Sequence, residues 1–106
     1  LILRYLWYMK IQLNGELLKA EVMDTPYKRS LGMMGRKELD GAMVFPFGEV
    51  GERSFWMKNC LIPLDIYFIE GNEVTKVYKN CEPCNTEHCK SYLGIADTVI
   101  EVASKN

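Results

Sequence analysis

The sequence predicts a mostly β domain: a small barrel or sandwich of about six to seven short strands with one short helix. Three observations predict it. Short apolar runs recur along the chain, divided by Asn-Gly, Gly-Asn and Pro-containing turn signals. Only one stretch pairs helical spacing with an N-cap signal. There is no room for the crossover helices of a parallel sheet. A chain of 106 residues supports one domain, placed at residues 9–106. Residues 1–8, Leu-Ile-Leu-Arg-Tyr-Leu-Trp-Tyr, read as non-native or the remnant of a leader. They are too short to cross a bilayer and carry no Ala-x-Ala-like cleavage site.

The elements follow in order. Residues 9–13 and 16–23 are β-like runs around Asn14-Gly15, which supplies both positive-φ positions of a type I′ hairpin turn. Thr25 is an N-cap with Pro26 at the first helical position, where its missing N–H costs nothing. Tyr27, Ser30, Leu31 and Met34 keep helical spacing, and Gly32 and Gly35 end the helix early. Ala42–Phe45 reads as a strand stopped by Pro46, with Gly48 and Gly51 in a loop. Ser54–Asn59 and Asp65–Glu70 read as the next strands. Gly71-Asn72 turns the chain into Glu73–Tyr78. A cysteine-bearing loop covers residues 80–92, and Thr98–Val102 closes the chain as a last strand.

Composition excludes some functions. The 13 basic and 14 acidic residues give a net charge of −1. Such a chain has no electrostatic footprint for nucleic acid, and none is expected as a partner. A membrane enters only through a lost leader or anchor. The oligomeric state is not readable.

The densest polar group is Lys58, Asn59 and Asp65. Lys58 and Asn59 end one strand, and Asp65 starts the next after a short connection. An amine, an amide and a carboxylate then stand within reach of one another, and Arg36 joins from beyond the helix. Such donors and acceptors suit a sugar or a small anion. The plainer reading is a Lys58–Asp65 ion pair with Asn59 bonding a turn backbone. Strand alternation sends Phe55 and Met57 to one face and Trp56 and Lys58 to the other. Trp56 is then a stacking surface beside Lys58, or simply packing, as large aromatics usually are. No Ser or Cys stands beside a His to make an activated nucleophile. Met33, Met34, Met43 and Met57 offer soft thioethers, but methionine is more often core filler.

Several segments resemble the prokaryotic family called domain of unknown function 192. They are Glu21–Pro26 with Leu31–Arg36, Gly41–Phe45, Ser54–Asn59 with Ile62–Ile66, and Pro83-Cys84 with Cys89 and Tyr92. They span residues 21 to about 102 in family order. The resemblance implies a predominantly β protein, often exported or membrane-anchored, with no established activity. Cys60 and Cys81 depart from the family pattern. Export or a periplasmic location follows if the family pattern holds, and a cytoplasmic one if Met9 is the true start.

The resemblance also implies a pair in Cys84 and Cys89, which as a disulfide would pin the loop and argue for an oxidising compartment. Residues 81–89 carry three thiols and His88, so free thiols, a metal site and a redox Cys-Glu-Pro-Cys motif stay open beside it. Cys60 reads as a buried small residue.

The function expected is a non-catalytic binding module for a small polar ligand such as a carbohydrate or cell-envelope component. Its site would be Arg36, Trp56, Lys58, Asn59 and Asp65, with no catalytic residue, metal or cofactor assigned. The alternatives are an enzyme using Asp65 as acid or base, with Glu52 or Glu70 recruited, and a metal or redox accessory protein using the Cys81–Cys89 loop.

Overall fold

The Asn14-Gly15 hairpin forms as expected: strands β1 (Met9–Leu13) and β2 (Glu16–Val22) pair antiparallel, with Leu13 opposite Glu16. Asn14 and Gly15 hold φ of 53° and 79°, as a type I′ turn requires. The computed structural model describes residues 9–105. The reading of residues 1–8, Trp7 included, lies outside them. Helix α1 (Pro26–Leu31) begins where Thr25 accepts a hydrogen bond from the Lys28 N–H at 3.1 Å. It stops at Gly32, whose φ of 47° breaks the helical course.

The remaining strands are β3 (Ala42–Trp56), β4 (Leu64–Glu70), β5 (Glu73–Cys81) and β6 (Ser91–Ala103). The described strands make one six-stranded sheet in the order β1-β2-β3-β6-β4-β5. β1 and β5 stand at its edges, and no pairing between them closes it into a barrel.

Three expectations are corrected. First, the two runs on either side of Pro46 are one 15-residue strand. The β3–β6 register jumps from Pro46 opposite Thr98 to Gly51 opposite Ala96. Pro46 sits where pairing lapses, so its missing N–H does no harm. Second, β2 and β3 pair in parallel over Ala20–Val22 and Ala42–Val44. Residues 23–41, with α1, are long enough for that crossover. Third, the last strand extends back to Ser91, well before Thr98.

Both faces of the central sheet are covered. Alternation puts Met43, Phe45, Leu64, Ile66, Phe68 and Val99 into the larger cluster. It puts Ala42, Val44, Tyr67 and Ile100 into the smaller one beneath the β1–β2 hairpin. Phe55 leans edge-on against Phe45, with ring centroids 4.9 Å apart, and meets Phe68 at 6.0 Å. Such contacts are worth about 0.5–1.5 kcal/mol each beyond the area they bury.

Candidate functional site

A cavity of about 410 Å³ opens between α1 and the sheet face that carries the larger cluster. Arg29, Ser30, Trp56 and Lys58 line its more exposed side, and Met33, Phe45, Cys60 and Glu101 its buried side. Its size is that of a small-molecule site, and four aromatic residues and two methionines are among those lining it. Trp56 is 49% exposed while its neighbour Met57 is buried, the alternation expected at the end of β3, and Trp56 is among the residues lining the cavity.

Glu101 is the unusual residue. It sits in β6 between Met43 of β3 and Ile66 of β4, its direct partners on the same face. It is only 4% exposed, and its carboxyl makes no hydrogen bond or ion pair with any described residue. Burial pushes its pKa up from 4.5 to about 8. At neutral pH the group is therefore mainly a carboxylic acid, with an O–H to donate. It is the one acidic residue among those lining the cavity. Beside it, burial and then the Glu101 charge raise the Cys60 thiol to about 11, which leaves Cys60 unreactive near neutrality.

Lys58 is set by the loop that follows β5. The Asn59 N–H donates to the Cys84 carbonyl at 2.8 Å, and the Cys84 N–H to the Met57 carbonyl at 3.1 Å. The Lys58 Nζ donates to the Thr86 carbonyl. Cys84 and Cys89 form a disulfide that closes this loop, with Cα atoms 5.9 Å apart. Cys60 and Cys81 are free and buried. With Cys84 and Cys89 bonded to each other, the four-ligand metal set has lost two of its thiolates. Among the described residues no group of three or more His, Cys, Asp or Glu stands at metal-holding distances.

The five residues read from the sequence do not converge. Trp56 and Lys58 share the cavity. Arg36 is committed elsewhere, in a two-bond pair with Glu21 at 2.7 Å for each bond. That pair raises the Arg36 pKa and lowers that of Glu21. Asn59 takes a φ of 59° and works through its backbone, its carbonyl accepting from the Gly35 N–H at 2.9 Å. Asp65 points to the opposite sheet face and pairs with Lys79 at 3.2 Å, not with Lys58. It also accepts from the Asn80 N–H at 2.8 Å. The reason is the strand period: Asp65 lies between Leu64 and Ile66, whose side chains occupy the Glu101 face.

A larger groove, about 680 Å³, lies on that opposite face. Several of its polar groups answer one another. Lys79 reaches Asp65 and the Tyr67 hydroxyl, and Asn14 donates to that hydroxyl at 3.1 Å. Only the Ser104 hydroxyl is buried without a partner there.

Comparison with known proteins bears out the family resemblance. The model of the family DUF192, described as Uncharacterized ACR, COG1430, matches residues 9–106. The chain belongs to this family. It is also similar to two solved structures. One, from Sinorhizobium meliloti 1021, is described as "a putative transcription regulator". It is 28% identical with a TM-score of 0.73, over 92% of this chain and 78% of that one. The other is a protein of unknown function from Novosphingobium aromaticivorans DSM 12444. It is 25% identical with a TM-score of 0.74, over 92% of this chain and 73% of that one. No curated protein matches the chain significantly.

Neither Glu101 nor Arg29 was singled out by the sequence. The available signal was Val99-Ile100-Glu101-Val102, a single carboxylate inside an apolar strand. Simple alternation sends that carboxylate to solvent, and only a sheet covered on both faces turns it inward.

Proposed function

We propose that this DUF192 protein is a non-catalytic binding module for a small polar ligand of the carbohydrate kind, seated in the cavity between α1 and the sheet. One observation carries the reading: Glu101 is 4% exposed, has no hydrogen-bond or ion-pair partner among the described residues and lines an open cavity. A ligand hydroxyl supplies what is missing. Trp56 offers a half-exposed ring face on which a pyranose ring stacks, and Phe47 and Phe55 widen the apolar wall.

The enzyme reading passes from Asp65 to Glu101, whose raised pKa is that of a general acid. It is the weaker reading, because glycoside chemistry wants a second carboxyl and Glu101 is the cavity's only acid.

The test is a titration of the labelled protein with glucose and cellobiose, followed by amide and indole NMR signals. Shifts of the Trp56 indole and of amides around residues 29–34, 54–60 and 99–102 are expected, and their loss in Trp56→Ala. Shifts confined to the Asp65–Lys79 groove, or none from neutral and charged sugars alike, would overturn the proposal.

A further inference from the structure

We propose that the ligand of this cavity is an acidic sugar, with its anionic group at the mouth beside Arg29 and Lys58 and a ring hydroxyl against Glu101. The inference rests on the binding reading above and adds the sign of the ligand's charge.

The charge pattern points there. The mouth carries two cations, and neither meets a carboxylate within ion-pair distance among the described residues. Arg29 reaches the Pro46 carbonyl at 3.4 Å and lies over the Phe47 ring, 5.6 Å from its centroid. Lys58 is held by the Thr86 carbonyl. Each keeps further N–H donors for a ligand, since a guanidinium has five and an ammonium three. Both are therefore anchored without being neutralised, a preorganised arrangement for an anion.

The floor carries no opposing charge at neutral pH. The side chains opposite Glu101 are Met43 on β3 and Ile66 on β4. The titratable groups whose charge couples to it are the Cys60 and Cys81 thiols, both raised by burial and neutral near pH 7. An uncharged acid facing a hydroxyl fits a sugar ring. An acid that had to ionise would instead call for an amine, which the two cations at the mouth would repel. A carboxylate and a phosphate would each satisfy the mouth.

A matched series tests this. Dissociation constants for glucose, glucosamine, glucuronate and glucose 6-phosphate are measured by NMR titration at pH 6.5 and at low salt. Glucuronate or glucose 6-phosphate should bind at least about tenfold more tightly than glucose, the equivalent of one charge-assisted contact, with glucosamine weakest. The ratio of the two anions tells carboxylate from phosphate. Arg29→Gln and Lys58→Gln should each reduce the ratio of anion to glucose affinity several-fold. Arg29→Gln decides the matter if losing the Thr86 contact disturbs the second variant. Glu101→Gln keeps an uncharged donor, so it should bind at pH 6.5 and escape the loss expected of wild type above pH about 8. Equal affinity for glucose and both anions would overturn the charge inference while leaving the binding module standing. Silence from all four sugars would overturn both.

Discussion

Glu101 makes a prediction about pH at the scale of one residue. Its folded pKa of about 8 lies above its ordinary 4.5. Between those values the folded chain keeps a proton that the unfolded chain releases. Stability is therefore full below about pH 4.5 and falls as pH rises toward 8, by at most about 1.4 kcal/mol per unit. Urea unfolding from pH 5 to 8 should show that fall in wild type and a flat line in Glu101→Gln. The lowered carboxyls act in a different window. Glu21 is held down chiefly by the Arg36 hydrogen bond, and Asp97 by the Gly71 N–H. Their contributions are lost only as pH drops through still lower values, so they do not mask the effect. Asp65 makes the complementary prediction. Asp65→Asn weakens the bonds to Lys79 and to the Asn80 N–H. It should cost about 1–3 kcal/mol of stability and leave ligand affinity unchanged, as the denaturation midpoint and the sugar titration will show. Asp65 was legible as one half of an ion pair; its partner was not. Lys58 is nearer in sequence, but the pleat faces Asp65 toward Lys79.

At the scale of elements, the features written in local chemistry were legible and those set by pairing were not. Asn14-Gly15 and Thr25-Pro26 dictate their own turn and cap, and both form as read. The continuity of β3 through Pro46, and the start of β6 at Ser91, depend on what lies alongside. Leu93, Gly94 and Ile95 look like an irregular segment by propensity, yet they pair with Ser54, Arg53 and Glu52. Gly94 is there because the Phe68 ring occupies the space of a side chain: a Cβ would stand 2.5 Å from it. Gly94→Ala should force that ring aside and cost about 1–3 kcal/mol, measurable as a lower denaturant midpoint. Gly41 is tighter still. Its φ is 81°, and a Cβ would sit 2.2 Å from the Lys19 carbonyl oxygen. Gly41→Ala should break the parallel β2–β3 pairing, seen as faster amide exchange across residues 20–22.

Across the whole molecule, one disulfide-closed loop links stability to the site. The Cys84–Cys89 bond closes a short loop, and the chain-entropy relation gives it about 2 kcal/mol. Reduction, or Cys84→Ser with Cys89→Ser, should lower stability by that amount. It should also loosen the Thr86 carbonyl that anchors Lys58, so anion affinity should fall more than glucose affinity. The β class and the single short helix were readable because each has a local signature, and the tethered loop because the family resemblance implies the Cys84–Cys89 pair. The cavity was not, because it exists only where α1, the end of β3 and the middle of β6 meet. The most direct measurement is a carbon-13 titration of the Glu101 carboxyl, assigned with Glu101→Gln, with and without glucuronate. The account predicts a midpoint near 8 in the free protein, moving higher with ligand because the bound hydroxyl favours the protonated acid. A midpoint near 4.5 that ignores glucuronate would contradict it.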